Sequence, residues 1–173
     1  MIAYGRHSID QHDLNAVIEV LQSDFLTQGL QVPAFETAMA DYCNAKYTVA
    51  ANSATSCLHL ACLALGLKPG DSVWTSPNTF VASANCALYC GATVDFVDID
   101  PSTYNLCPIA LQAKLKTAAQ HNRLPKIIIA VHFSGQSCDM IAIAKLAQQY
   151  GIKIIEDASH AVGAVYNGKP IGG

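Results

Sequence analysis

The strongest constraint in this sequence is a rhythm. Short runs of apolar and β-branched residues, YTVAA (47–51), SVWT (72–75), TVDFVDI (93–99), KIIIAV (126–131) and IKIIE (152–156), alternate with helical patterns over 54–66, 79–90, 108–120 and 139–150. Five strands separated by four helices read as β-α-β units. Such units build a mostly parallel sheet with helices on both faces, an α/β fold. Turn signals fall between them, in KPGD at 68–71, YCGA at 89–92 and YGI at 150–152. Ligands of such sheets bind beyond the carboxyl ends of the strands, so the residues that follow each run are the candidates for chemistry.

Upstream of the rhythm the arm MIAYGRHSID leads into a helical pattern with Leu14, Val17, Ile18 and Leu21 on one face. The loop SDFLTQGLQV follows, then a helix beginning at Pro33 with Phe35, Met39 and Tyr42 as its apolar side. No internal repeat or low-complexity segment interrupts the chain.

A chain of 173 residues suffices for one domain or for part of a larger one. Its residues are 51% hydrophobic and only 13% charged, so much of its surface is expected to be covered by further sequence or by a partner chain. The net charge of −3 gives no electrostatic case for nucleic acid or an anionic membrane. No apolar run approaches the ~20 residues that span a bilayer. The N-terminus lacks the apolar core of a signal peptide, so a cytoplasmic protein is expected. Seven cysteines occur without a C-x-x-C pair, which favours buried free thiols over disulfides or zinc.

At the strand ends, Asn52 and Ser53 are N-cap types. Ser53, Thr55 and Ser56 cluster at a helix start, where free N–H groups and the dipole favour an anion such as phosphate. Taken alone, that segment is also an ordinary capped helix. No Walker or G-x-G-x-x-G sequence is present. Phe80 follows the second run, as a core aromatic or as a surface for a planar ligand. His132, Ser134 and Ser137 follow the fourth run, with Asp139 as a helix cap. The fifth run delivers Glu156, Asp157 and then His160. Further close ligands for a metal are lacking, and no G-x-S-x-G elbow supplies a serine nucleophile. A third role for Asp157 is to pair with the protonated ring nitrogen of pyridoxal phosphate. That reading unites a phosphate cup, a stacking phenylalanine and an acid at one sheet edge.

The segments NSATSCLHLACLALGLKPGD, SPNTFVASANCALYCGATVDFVDIDPSTYNL and IIEDASHAVGAVYNGKPIGG resemble the DegT family of sugar-nucleotide aminotransferases. The resemblance implies the large domain of fold-type-I pyridoxal 5'-phosphate (PLP) transferases. Within the family, YGRHSI and LQSDFLTQGLQVPAFE look most like the branch that serves pseudaminic acid synthesis. It implies that Ser53, Ala54 and Thr55 hold the cofactor phosphate and that Phe80 stacks on the ring. Asp157 would bond the ring N1–H, and His160 would lie near the ring hydroxyl. Tyr4, Asp24, Phe25, Leu26 and Thr27 would line a pocket for the sugar nucleotide. The implied reaction moves an amino group from L-glutamate to the C4 keto group of a UDP-linked 4-keto-6-deoxy sugar, in a homodimer.

The family's Schiff-base lysine lies in a later S-F-H-type stretch, which places it beyond Gly173 and leaves no catalytic residue expected within the chain. None of Lys46, Lys68, Lys114, Lys116, Lys126, Lys145, Lys153 and Lys169 stands in that context, and Lys169 is expected in a surface hairpin. The resemblance thus divides the chain into an arm, helix and substrate loop (1–32) and an incomplete cofactor domain (33–173). The chain ends before the lysine and the small C-terminal domain, and is expected to be inactive alone. A non-catalytic ligand-binding or regulatory protein, and a sugar dehydratase with His in place of the lysine, remain open. Glu156 is expected to be structural.

Overall fold

A computed structural model describes residues 5–173. The element order is α1 (Gln11–Leu21), α2 (Gln31–Cys43), α3 (Ala54–Ala64), β1 (Ser72–Thr75), α4 (Ala82–Tyr89), β2 (Thr93–Phe96), α5 (Pro108–Gln120), β3 (Ile127–Val131), α6 (Met140–Tyr150), β4 (Lys153–Asp157), β5 (Val165–Tyr166) and β6 (Lys169–Pro170). Four strands form one parallel sheet in the order β2-β1-β3-β4. β3 pairs on both edges and is buried throughout, which is why its run IIIAV shows no polar alternation.

The pleat sorts the core into two layers. Val73, Ile127, Ile129 and Val131 point to one face, against Leu58 and Cys62 of α3 and Ala82, Cys86 and Ala87 of α4. Trp74, Ile128 and Ala130 point to the other, against Leu111 and Leu115 of α5 and Ile143 and Leu146 of α6. Helices therefore cover both faces, as the alternating pattern requires.

One expected strand does not form among the described residues. The YTVAA run at 47–51 is irregular and pairs with neither edge of the sheet. Tyr47 is 79% and Val49 77% exposed, and the Ala50 N–H donates instead to Glu36 Oε1 at 2.7 Å. β-Branched composition favours a strand only where an edge offers partners, and here none does. The helix expected over 79–90 begins at Ala82, with Phe80 in the preceding loop. Helix α1 has a complete capping box at Asp10 and Asp13, yet buries no residue. Leu14, Val17, Ile18 and Leu21 are 48–64% exposed, in keeping with the apolar excess of the composition. Lys169 lies in the β5–β6 hairpin, whose turn residues Asn167 and Gly168 both have positive φ, as an Asn-Gly turn does.

No helix among the described residues is long and apolar enough to cross a membrane. Of the seven free thiols, Cys57 is exposed, Cys107 is intermediate and the other five are buried.

Candidate functional site

β1 and β3 lie side by side although α4, β2 and α5 separate them in sequence, so the strand order reverses between them. A reversal of this kind opens a crevice at the carboxyl ends of the strands. A cleft of about 360 Å³ lies there. Its walls come from the start of α3 (Ala54, Thr55), the loop after β1 (Asn78, Thr79, Phe80), the loop after β3 (His132 to Ser134) and the segment after β4 (Asp157, Ser159, His160).

Asp157 ends β4 and is 8% exposed. Its Oδ2 accepts from Ser83 Oγ at 2.6 Å, and its Oδ1 accepts from Ser159 Oγ at 2.6 Å and from the Ser159 N–H at 3.3 Å. All of these donors are neutral. Behind Ser83 stands Thr79, with its Oγ1 2.7 Å from Ser83 Oγ. At the start of α3, Ser53 caps the helix by accepting from the Ser56 N–H at 3.2 Å, while Ser56 Oγ donates to Asn52 Oδ1 at 2.7 Å. The N–H groups of Ala54 and Thr55 belong to the first turn and have no intrahelical acceptor.

The loop after β3 is shaped by two buried polar side chains. His132 is 1% exposed. Its Nδ1 accepts from the Cys138 N–H at 3.1 Å, so the ring proton sits on Nε2 and is donated to Glu156 Oε2 at 2.9 Å. Asn105, 2% exposed, donates to the Gln136 and Ser137 carbonyls at 3.0 and 3.1 Å and accepts from the Phe133 N–H at 2.9 Å. Within the loop, Ser134 has φ +53° and Gly135 φ +85°. A Cβ on Gly135 would stand 2.7 Å from the His160 carbonyl oxygen, so glycine there lets the loops after β3 and β4 meet.

Of the cofactor candidates, Ala54, Thr55, Phe80, Asp157 and His160 line this one cleft, and Ser53 caps the helix that forms its wall. Phe80 is 73% exposed, so it is a cleft-side ring rather than a core residue. Asp24, Phe25, Leu26 and Thr27 are exposed and do not line the cleft. Tyr4 lies outside the described residues. Among the described residues no lysine lines the cleft. Thr79, Ser83, Asn105 and Ser159 carry no signal that marks them in the sequence: serine inside an apolar helix reads as a neutral substitution until its carboxylate partner is known. His132 and Glu156, both visible as strand-end residues, find their roles only in each other.

Residues 7–173 match the DegT/DnrJ/EryC1/StrS aminotransferase family. The chain belongs to that family. It is 41% identical over 172 residues to GDP-perosamine synthase of Caulobacter vibrioides, covering 99% of this chain and 45% of that one. It is 42% identical over 172 residues to the UDP-4-amino-4,6-dideoxy-N-acetyl-beta-L-altrosamine transaminase of Campylobacter jejuni, covering 99% and 44%. Among solved structures it is similar to Helicobacter pylori PseC, an aminotransferase involved in pseudoaminic acid biosynthesis. That match has a TM-score of 0.90 at 32% identity and covers 98% of this chain and 44% of that one. Spr1654 of Streptococcus pneumoniae in its PLP form superposes with a TM-score of 0.88 at 26% identity, covering 99% and 46%. The chain spans less than half the length of the curated relatives it matches.

Proposed function

We propose that this chain is the cofactor-binding N-terminal part of a PLP-dependent aminotransferase, and that the amino group moves from L-glutamate to the C4 keto group of a UDP-linked 4-keto-6-deoxy sugar. The observation that carries the reading is Asp157, a buried carboxylate at the cleft floor with only neutral partners. A charge placed so deep is costly until a cation joins it. A protonated pyridine nitrogen supplies that cation on a flat ring, and the cleft has a flat aromatic wall in Phe80. The amine that tethers the cofactor is proposed to come from sequence beyond Gly173, in keeping with a cleft that no lysine of the described residues lines.

When bound, pyridoxal phosphate supplies an electron sink beside the nitrogen it carries. This chain's residues hold and tune it. Asp157 keeps the proton on ring N1. The first-turn N–H groups of Ala54 and Thr55, with the cap at Ser53, favour the phosphate dianion. Phe80 would cover one face of the ring and keep water from it, and His160 would lie near the ring hydroxyl. Asp24 to Thr27 and Tyr4 are the proposed sugar-nucleotide contacts. Because Asp24 to Thr27 do not line the cleft of their own chain, we place them at the cleft of a second copy in a homodimer.

The test uses the full-length protein. Titration with pyridoxal phosphate, followed by absorbance, is expected to saturate in the wild type. Asp157→Asn should weaken binding and lower kcat by on the order of a hundredfold, because neutral Asn cannot hold the N1 proton. Glutamate with UDP- and GDP-linked 4-keto sugars then separates the substrates, the UDP sugar being the expected acceptor. A wild type that takes up no pyridoxal phosphate, or an Asp157→Asn variant with unchanged kcat, would overturn the proposal. Formation of a deoxy sugar without amine would favour the dehydratase chemistry.

A further inference from the structure

We infer that Thr79 and Ser83 form a positioning relay for Asp157, so that two hydroxyls set how firmly the carboxylate holds a cationic ring nitrogen. The inference rests on the pyridoxal phosphate reading of the cleft and goes beyond it, because neither residue contacts the ring nitrogen in that reading.

The direction of the relay follows from donor counting. Ser83 Oγ lies 2.6 Å from Asp157 Oδ2, and an ionised carboxylate only accepts, so the single Ser83 proton is spent there. The 2.7 Å contact between Thr79 Oγ1 and Ser83 Oγ must then be donated by Thr79. Thr79 thus polarises Ser83, and Ser83 bonds the carboxylate. On the other oxygen, Ser159 Oγ donates at 2.6 Å. One hydroxyl on each oxygen fixes the rotation of the carboxylate about its own axis.

The relay spans two elements. Ser83 is fully buried on α4, and Thr79 lies in the loop that also carries Phe80. The same few residues therefore tie the ring-facing loop to the acid at the end of β4. A bland alternative exists, in which the serine merely fills a polar gap between α4 and β4. It predicts an effect on stability and none on a bound ring.

The experiment compares the full-length wild type with Ser83→Ala, Thr79→Val and Thr79→Ser, using pyridoxal phosphate itself as the probe. Three quantities are read: cofactor Kd, the pH dependence of the bound cofactor's absorption band, and the Tm of the cofactor-free protein. Ser83→Ala is expected to weaken Kd by roughly tenfold, because a carboxylate no longer held on Oδ2 must be ordered when the cofactor binds. Its absorption band should lose the protonated-ring form at lower pH than in the wild type. Thr79→Val should move both in the same direction by a smaller factor, and Thr79→Ser, which keeps the hydroxyl, should restore them.

Wild-type Kd and spectra in both Thr79→Val and Ser83→Ala would overturn the inference, as would a fall in Tm alone. If Ser83→Ala does not fold, the Thr79 pair decides: a valine effect that serine rescues supports the relay, and no valine effect refutes it. A wild type that binds no pyridoxal phosphate would refute the reading of the cleft, a different result from a wild type that binds and variants that match it.

Discussion

His132, just past the end of β3, and Glu156, on the neighbouring strand β4, share one proton donor across 2.9 Å. The His132 ring is wholly buried, whereas the Glu156 side chain retains 41% of its exposure. The histidine therefore depends on this bond more than the glutamate does. Replacing Glu156 with Ala leaves a buried N–H whose only relief is water entering beside it. We expect Glu156→Ala to cost about 1–2 kcal/mol and Glu156→Gln, which keeps an acceptor oxygen, less than half of that. Urea unfolding with a common m-value measures both. Equal losses in the two variants would show that the charge, and not the acceptor, matters.

That pair also marks the limit of what the sequence discloses. Asp157, Phe80 and the Asn52–Ser56 segment are recognisable because local patterns place them at strand ends. Parallel pairing then brings residues 54, 80, 157 and 160 to one cleft without further information. Glu156 is visible at a strand end too, but its role is not legible, since its partner lies 24 residues away and is aligned by the β3–β4 register, with Ala130 opposite Glu156. Ser83 is hidden for the same reason, its carboxylate being 74 residues distant. YTVAA misleads in the opposite sense: its composition favours a strand, but pairing is a property of edges, and composition does not say whether an edge is within reach.

The thiols should differ sharply in reactivity. Burial pushes the Cys138 thiol up to about 11, and its Sγ donates to the Val131 carbonyl at 3.1 Å. Burial also raises Cys90. The hydrogen bond from Cys62 to Cys86 raises the first thiol and lowers the second, but both are sealed inside the α3–α4 layer. Only thiolate reacts, and only where reagent can reach it. Iodoacetamide near neutral pH is expected to modify Cys57 in the native protein, with Cys62, Cys86, Cys90 and Cys138 protected until denaturant is added. Peptide mass spectrometry reads the order, and native labelling of Cys138 as fast as Cys57 would contradict it.

Two glycines separate backbone strain from steric conflict. Gly151 ends α6 at φ +69° with open space around its missing Cβ, and Gly135 has φ +85° with the His160 carbonyl where a Cβ would stand. An L-residue in the left-handed region costs about 1–2 kcal/mol, so Gly151→Ala is expected to lose that much and nothing more. Gly135→Ala bears the same strain and must also push apart the loops after β3 and β4, since a backbone oxygen at 2.7 Å cannot swing away as a side chain would. Its loss in urea unfolding should exceed that of Gly151→Ala by at least about 1 kcal/mol. The displaced loop carries His160, which lines the cleft. On the proposed reading of the cleft, Gly135→Ala should therefore also weaken pyridoxal phosphate binding, while Gly151→Ala, at the opposite end of the sheet, should leave it unchanged. Equal stability losses for the two variants would mean that the loops yield freely. In that case their close approach does not define the wall of the cleft.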